Sequence, residues 1–190
     1  MKFGHLIKKR RSVKKFRLDK KPDWRKILRA LNAARFIPAA GNQYNIKWIL
    51  IREESIIEQL GQASQQPFVG KASYVVACVS DPSVLVRSYG EVGERYTAQQ
   101  AGASIENFLL ALTEQGLATT WVGHFYEDMV KGLLGVDDKM IVEAIFPIGI
   151  AAANASSKEP RKTPLDSIMF FDKWGNKYMD PKVLPSRHDT

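Results

Sequence analysis

Residues 95–116, RYTAQQAGASIENFLLALTEQG, form a long stretch in which apolar residues recur at helical spacing. The apolar positions are Ala98, Ala101, Ile105, Phe108, Leu109 and Leu112. Spacings of three and four residues place them on one broad face of an α-helix. Because glycine readily ends helices, Gly116 marks the end of this one. We therefore predict a central helix over about residues 95–115.

Short apolar runs on both sides of this helix predict the strands of a sheet. The predicted strands cover residues 47–52, 73–80, 118–122 and 140–150, and the other predicted helices cover 22–35, 53–65 and 127–134. The strand runs are rich in β-branched and aromatic residues and end at charged or turn residues. Strands mixed with helices, without a strict alternation, favour an α+β fold in which helices cover a sheet.

The chain has the size and composition of one soluble domain. It has 190 residues, of which 45% are hydrophobic and 25% charged, and it contains no internal repeat. We expect a single domain over residues 1–190, with 166–190 as a C-terminal extension that packs on the same subunit or on a partner. The single cysteine, Cys78, excludes an intramolecular disulfide and a multi-thiolate metal site. With no apolar run long enough to span a membrane, the expected location is the cytoplasm.

Positive charge is concentrated at the N-terminus. The formal net charge is +8, and residues 1–35 hold 14 of the 28 Lys and Arg residues but only two acids. The remainder of the chain is slightly acidic. A uniformly basic protein would suggest a nucleic-acid partner, but this local excess makes nucleic acid an unlikely partner and favours a local anionic ligand.

Three motifs could form a binding site. The first, Arg10–Phe16 (RRSVKKF), combines guanidinium groups, a hydroxyl and ammonium groups, which suit a phosphate. The second, Pro38–Asn45 (PAAGNQYN), offers small residues for close approach of a flat ligand and amides at Asn42 and Asn45 that could pair with a ring edge. The third is Gly116–Phe125 (GLATTWVGHF). Each motif alone is also compatible with a solvated surface or an ordinary turn.

In this order and spacing, the three motifs resemble the nitroreductase family of FMN-dependent oxidoreductases. The resemblance extends through Ile148 and Gly149 to the basic stretch 158–165. It implies a nitroreductase-like α+β fold with a mixed, mainly antiparallel sheet covered by helices. It also implies an intertwined homodimer with FMN sites at the subunit interface.

The resemblance also implies roles for individual residues. Arg10 and Ser12 would bind the ribityl phosphate, and Lys14 would face the N1/O2 edge of the ring. Arg11 is implied as a further cofactor-binding residue. Further residues implied in cofactor binding are Pro38, Ala39, Ala40, Asn42, Trp121, Val122 and Gly123, with the backbone around Val122 and Gly123 facing the flavin N5 region. Arg161 or Lys162 would complete the phosphate site. Gln100 replaces an acidic residue that is frequent in the family, and no role is assigned to it.

The remaining candidates are few. His124 follows the Trp-Val-Gly segment and could donate a proton, although a histidine that only lines the pocket is the more common case. For Trp121 a packing role is favoured over a contact with the ring, and Cys78 lies in a run typical of a buried strand. The three histidines lie too far apart in sequence to predict a metal site.

The resemblance implies hydride transfer from NADH or NADPH through flavin N5 to a small acceptor such as a nitroaromatic compound or a quinone. One pocket would serve the donor and the acceptor in turn, as in a ping-pong mechanism. Two alternatives remain: a flavin-binding carrier or sensor without turnover, and a nucleic-acid-binding module that uses the basic N-terminal segment.

Overall fold

In the computed structural model, residues 2–155 and 162–179 can be described. The chain divides into two compact units, Met1–Ser157 and Lys158–Thr190. In the first unit, the helices are α1 (Phe3–Lys9), α2 (Trp24–Ala34), α3 (Glu54–Ala63), α4 (Pro82–Tyr89), α5 (Val92–Glu114) and α6 (Glu127–Leu134). The strands are β1 (Ile46–Ile51), β2 (Tyr74–Ser80), β3 (Ala118–Thr119) and β4 (Ile141–Gly149). The second unit contains the short helix α7 (Leu165–Ile168).

The strands form one antiparallel sheet in the order β1-β2-β4-β3. This confirms the predicted α+β class and the antiparallel character of the sheet. Side chains alternate along β2, so that Val76 and Cys78 face one apolar cluster while Val75 and Ala77 face another. Both faces of the sheet are therefore buried.

Helices α2 and α5 cover one face of the sheet. Ile27 from α2 and Phe108 from α5 are fully buried in the same cluster as Phe146 from β4. The rings of Phe108 and Phe146 meet edge to face, with centroids 5.5 Å apart. Helices α3 and α6 cover the other face, where Leu60 and Val130 are fully buried. The predicted central role of the long helix is confirmed.

Helix α2 begins as predicted, because the Asp23 side chain accepts a hydrogen bond from the main-chain N–H of Arg25. The apolar stripe of this helix is only partly buried. Ile27 is fully buried, whereas Trp24 and Leu28 are 47% and 44% exposed. The described residues of this chain therefore leave part of the apolar stripe of α2 uncovered.

The structure contains three helices that were not predicted, α1, α4 and α7, and one predicted strand is shorter than expected. Helix α4 was not predicted, although Asp81 caps it and Pro82 occupies its first turn. The predicted strand 118–122 is a regular strand only to Thr119. Beyond it, Val122 rejoins the sheet by exchanging two main-chain hydrogen bonds with Ile145, of 3.1 and 3.0 Å.

Within residues 2–155 and 162–179, no helix is long and apolar enough to cross a membrane. The same residues contain no cluster of His, Cys, Asp and Glu side chains that could hold a metal ion.

The described part of the second unit has a small aromatic cluster of its own. The ring centroids of Phe170 and Trp174 lie 4.6 Å apart, and Lys177 Nζ lies 4.2 Å from the Phe170 centroid. Trp174 is 91% exposed. The expectation that another surface covers this aromatic tail, like the expected single domain, stays a prediction.

Close packing of α4 against α5 generates a test of the fold. A Cβ at Gly93 would meet the main chain of α4, with Leu85 O and Val86 N both at 2.5 Å. We expect Gly93→Ala to lower the free energy of unfolding by about 1–3 kcal/mol, because backbone atoms must shift to admit the methyl group. Urea denaturation measures the change.

The matched control is Gly102→Ala in the same helix, where a Cβ would meet nothing within 4 Å. This control should gain about 0.5–1 kcal/mol, because alanine is the better helix former. Equal stabilities of the two variants would contradict the packing of α4 on α5.

Candidate functional site

The basic N-terminal motif lies along the sheet, held by main-chain hydrogen bonds. Val13 N–H donates to Thr119 O at 2.9 Å, and Ser12 pairs with Thr119 in the parallel sense. Farther along, Ala152 N–H donates to Lys15 O at 3.0 Å and Arg17 N–H donates to Ile150 O at 2.8 Å. Because Thr119 belongs to the third motif, the structure brings the first and third motifs together.

A glycine makes this docking possible. The ring of buried Phe16 packs directly over Gly149, and a Cβ at that position would lie 2.9 Å from Phe16 Cδ1. Such a distance is shorter than side chains tolerate, so a larger residue would push the N-terminal segment away from the sheet. Gly149, one of the residues that carry the family resemblance, thus has a packing role.

The cationic side chains of the segment point to different neighbours. Arg10 Nε lies 3.8 Å from Glu106 Oε1 on α5, and both side chains are partly exposed. Arg11 Nη1 donates to the carbonyl oxygens of Lys8 and Arg10 at the end of α1. Ser12 and Lys14 are exposed. Lys14 Nζ lies 5.2 Å from the centroid of the Phe68 ring.

A buried hydroxyl group beside Ser12 has no hydrogen-bond partner among the described residues. It is Thr119 Oγ1, on a residue that is 5% exposed. An unsatisfied buried hydroxyl costs about 1–3 kcal/mol of stability. This atom is a feature that sequence reasoning missed, since burial of Thr119 cannot be recognised before the fold is known.

The loop of the second motif is fixed to α5. Ala40 N–H donates to Gln100 Oε1 at 2.6 Å, and Gly41 and Asn42 both adopt left-handed backbone conformations, with φ of 55° and 57°. Pro38 and Asn42 are exposed, while Ala39 and Ala40 are partly exposed. The loop therefore presents Asn42 to the surroundings, as a ring-binding amide requires.

The contacts of Asn45 contradict the prediction that its amide binds a ligand. Its side chain is buried, and Nδ2 donates to Asp81 O and to Thr97 Oγ1, both at 2.9 Å. Its Oδ1 accepts from Gln100 Nε2 at 2.7 Å. All of its amide groups are thus used inside the protein, and the prediction that Asn45 could pair with a ligand ring is wrong. Gln100, to which no role was assigned, links the loop to α5.

In the third motif, the main chain of Val122 is hydrogen-bonded to the sheet, while neighbouring side chains are exposed. Val122 N–H donates to Ile145 O. The next main-chain donor, Gly123 N–H, has no hydrogen-bond partner among the described residues. His124 is exposed, and Trp121 is 45% exposed while meeting Phe146 edge to face at 6.0 Å. Trp121 therefore packs on the core and still presents part of its ring outward.

Both candidates near the C-terminus, Arg161 and Lys162, fall in the second unit. Arg161 lies outside the described residues, and Lys162 is an exposed residue of the second unit. The choice between them as a phosphate ligand stays a prediction. Cys78 is fully buried, and burial raises the pKa of its thiol far above the ordinary range. This confirms Cys78 as a core residue.

The exposed Ser12 and Lys14 lie on the segment that docks along the sheet at Thr119, and Gly123 offers a main-chain donor in the same motif as Thr119. Such a set can hold an anionic group next to a flat ring. The loop around Asn42 is hydrogen-bonded to α4 and α5 rather than to β3.

The sequence model of the nitroreductase family matches residues 7–71 and 61–150 of this chain. The matched ranges contain the first two motifs and the whole of the third. The chain belongs to the nitroreductase family, which confirms the resemblance deduced from the motifs and supports an oxidoreductase.

Individual relatives agree with this assignment. A chain from Streptococcus pyogenes named "Putative NAD(P)H nitroreductase Spy0809" is 25% identical over 89% of this chain and 98% of its own length. A nitroreductase family protein from Clostridium novyi NT shares the fold with a TM-score of 0.74 and 25% identity, covering 96% of this chain and 100% of its own. An FMN-dependent nitroreductase from Clostridium difficile R20291 has a TM-score of 0.74 at 20% identity, covering 89% and 98% of the two chains.

The link between Gln100 and the loop can be tested by substitution. We expect Gln100→Ala to lower the free energy of unfolding by about 1–3 kcal/mol, because buried Asn45 Oδ1 and Ala40 N–H lose their partner. Thermal unfolding measures the loss. The control Gln99→Ala changes an exposed neighbour on the same helix and should leave the midpoint within about 2 °C of the parent. Equal midpoints for both variants would contradict the role of Gln100.

Proposed function

We propose that this protein is an FMN-dependent oxidoreductase that takes reducing equivalents from NADH or NADPH and passes them to a small acceptor, such as a nitroaromatic compound or a quinone. The supporting observation is the main-chain docking of the cationic segment 10–17, in which Val13 bonds to Thr119 of β3 and the residues after it bond to the chain just beyond β4. Family membership supports the same class of reaction.

The residues at this edge fit the chemistry of FMN. The phosphate of FMN is a dianion, for which a guanidinium and a hydroxyl are good donors. Arg10 and Ser12 would hold it, with Arg11 beside them and Arg161 or Lys162 completing the site. Bound FMN supplies the chemistry of accepting a hydride at N5 and returning the electrons.

The protein's own groups would orient and tune the ring. Lys14 would place a positive charge at the N1/O2 edge, which favours the state of the ring that carries negative charge there. Gly123 N–H is an available donor toward the N5 region, with Trp121 beside it and the buried Val122 fixing the main chain. Asn42 would donate to the ring. No side-chain nucleophile is required. A proton for the reduced acceptor could come from His124, which is exposed, or directly from the solvent around it.

A second subunit would complete the site. The loop with Pro38, Ala39, Ala40 and Asn42 is hydrogen-bonded to α5, and nearby Gln43 is bonded to Ser88 of α4, away from the β3 edge. We propose a cytoplasmic homodimer in which this loop meets the cationic segment of the partner and residues 166–190 pack on that partner. The partial exposure of Trp24 and Leu28 on α2 supports a covered face. Sedimentation of a stable monomer would contradict this arrangement.

The redox function has a direct test. The protein is loaded with FMN, freed of excess flavin, and titrated anaerobically with NADH and then NADPH. We expect retained flavin absorbance that bleaches with at least one donor and returns on addition of a quinone or nitroaromatic acceptor. Bound flavin that stays oxidised with both donors would contradict the oxidoreductase and favour a carrier or sensor.

The phosphate contact can be tested separately. We expect Arg10→Ala to weaken FMN binding by about 10- to 100-fold, because a hydrogen bond to a charged group contributes about 1.5–3 kcal/mol. Fluorescence titration of the flavin-free protein measures this. The control Arg52→Ala removes an exposed arginine next to β1 and should bind FMN like the parent. Equal affinity of the Arg10→Ala variant and the control would show that Arg10 does not hold the phosphate.

A further inference from the structure

The side chain of Phe68 lies under the ammonium group of Lys14. The distance of 5.2 Å from Lys14 Nζ to the ring centroid is within the ~6 Å range of cation–π interactions. In such a contact the negative face of the ring attracts the cation. Among the described residues, no carboxylate forms an ion pair with Lys14, and the Phe68 ring is the interaction partner that the structure gives its ammonium group.

Both partners of this contact are fixed by other parts of the fold. The main chain on either side of Lys14 is held by the hydrogen bonds of Val13 and Lys15 to the sheet region. Phe68 precedes a one-turn 3-10 helix, Val69–Lys71, in which Val69 is fully buried. The Phe68 ring itself packs, half-buried, on the apolar cluster under α3 and α6. The ring is therefore a rigid support for a flexible side chain.

We propose that Phe68 is a positioning residue that holds the Lys14 ammonium toward the N1/O2 edge of bound FMN. This inference rests on the proposed function and extends it to a residue outside the three motifs. A lysine side chain is flexible and loses considerable rotamer entropy when it is ordered. A ring that orders the ammonium before the flavin binds removes part of that cost and keeps the charge near the ring edge.

A charge held at the N1/O2 edge acts on the redox potential. Reduction adds electron density at that edge, so a nearby cation stabilises reduced FMN more than oxidised FMN. If the ammonium becomes mobile, its mean distance from the edge grows and this preference decreases. A role limited to packing would change the stability of the protein and leave the potential of bound FMN unchanged.

The contact itself can be tested in the flavin-free protein. Methylene protons of Lys14 that lie over an aromatic ring resonate upfield, and NMR of lysine-labelled protein detects them. We expect this upfield shift to disappear in Phe68→Leu and to persist in Phe68→Tyr, which keeps the ring. Lys14 shifts that are the same in Phe68→Leu and in the parent would overturn the proposal without involving the flavin.

The redox effect is measured on the FMN-loaded protein. We expect Phe68→Leu to reduce the preference for reduced over oxidised FMN by about three- to tenfold, a fall in midpoint potential of about 15–30 mV for a two-electron couple. Phe68→Tyr should restore the parental potential. The control Ile49→Ala removes apolar volume packed on the same cluster; it should lower the melting temperature but not the potential.

A double-mutant cycle assigns the effect to Lys14. In a Lys14→Met background, Phe68→Leu should cause no further change in potential, because the charge that the ring positions is gone. An equal fall in both backgrounds would overturn the proposal, as would a parental potential in the Phe68→Leu variant. Failure of the parent protein to retain FMN would contradict the proposed function. Failure of the Phe68 proposal is seen separately, in a parent protein that does retain FMN.

Discussion

Main-chain hydrogen bonds between the segment around Val13 and the sheet fix the positions of the cations in the candidate site. Val13 bonds to Thr119, Lys15 to Ala152 and Arg17 to Ile150. Strand edges expose unpaired N–H and C=O groups, and the segment satisfies several of them. Long cationic side chains bind tightly only if their Cα atoms are already fixed, since ordering them at the moment of binding is costly. The packing of Phe16 on Gly149 also holds this segment against the sheet.

The docked segment concentrates positive charge, and like charges close together repel one another. Residues 1–35 carry 14 of the 28 basic residues, and the ion pairs that offset them are exposed or partly exposed, such as Arg17 with Asp19 and Lys21 with Glu54. The Asp19 carboxylate raises the pKa of Arg17, and the guanidinium in turn lowers the pKa of Asp19. Exposed pairs of this kind contribute little to stability. An anionic ligand near the cationic segment would add a counter-charge to this positively charged region.

Much of the fold follows from local sequence patterns. The helices at residues 24–34, 92–114 and 127–134 and the strands at 46–51, 74–80 and 141–149 all fall within a few residues of their predicted bounds. Apolar periodicity and turn residues are local signals, and they suffice where each element buries a complete face. Helix α4 is different: its one fully buried residue is Leu85, so its apolar signal is weak and only its cap indicates it.

The site was less accessible from sequence, because its properties depend on contacts between distant segments. The motif order identified the family and the cationic segment, yet sequence could not show that Asn45 is buried or that Gln100 joins the loop to α5. Both facts arise from a polar network across more than fifty residues of chain. The contact between Lys14 and Phe68 is likewise invisible before folding, since an aromatic residue beside a glycine-containing turn has no functional signature.

The central claim is that the docked cationic segment binds the phosphate of a flavin. Its most direct test compares the affinities of the flavin-free protein for FMN and for riboflavin, which differ only in that phosphate, at low and at high salt. The account predicts that FMN binds at least ~10-fold more tightly at low salt and that the difference decreases as salt screens the cations. Equal affinity for the two flavins at both salt concentrations would contradict it.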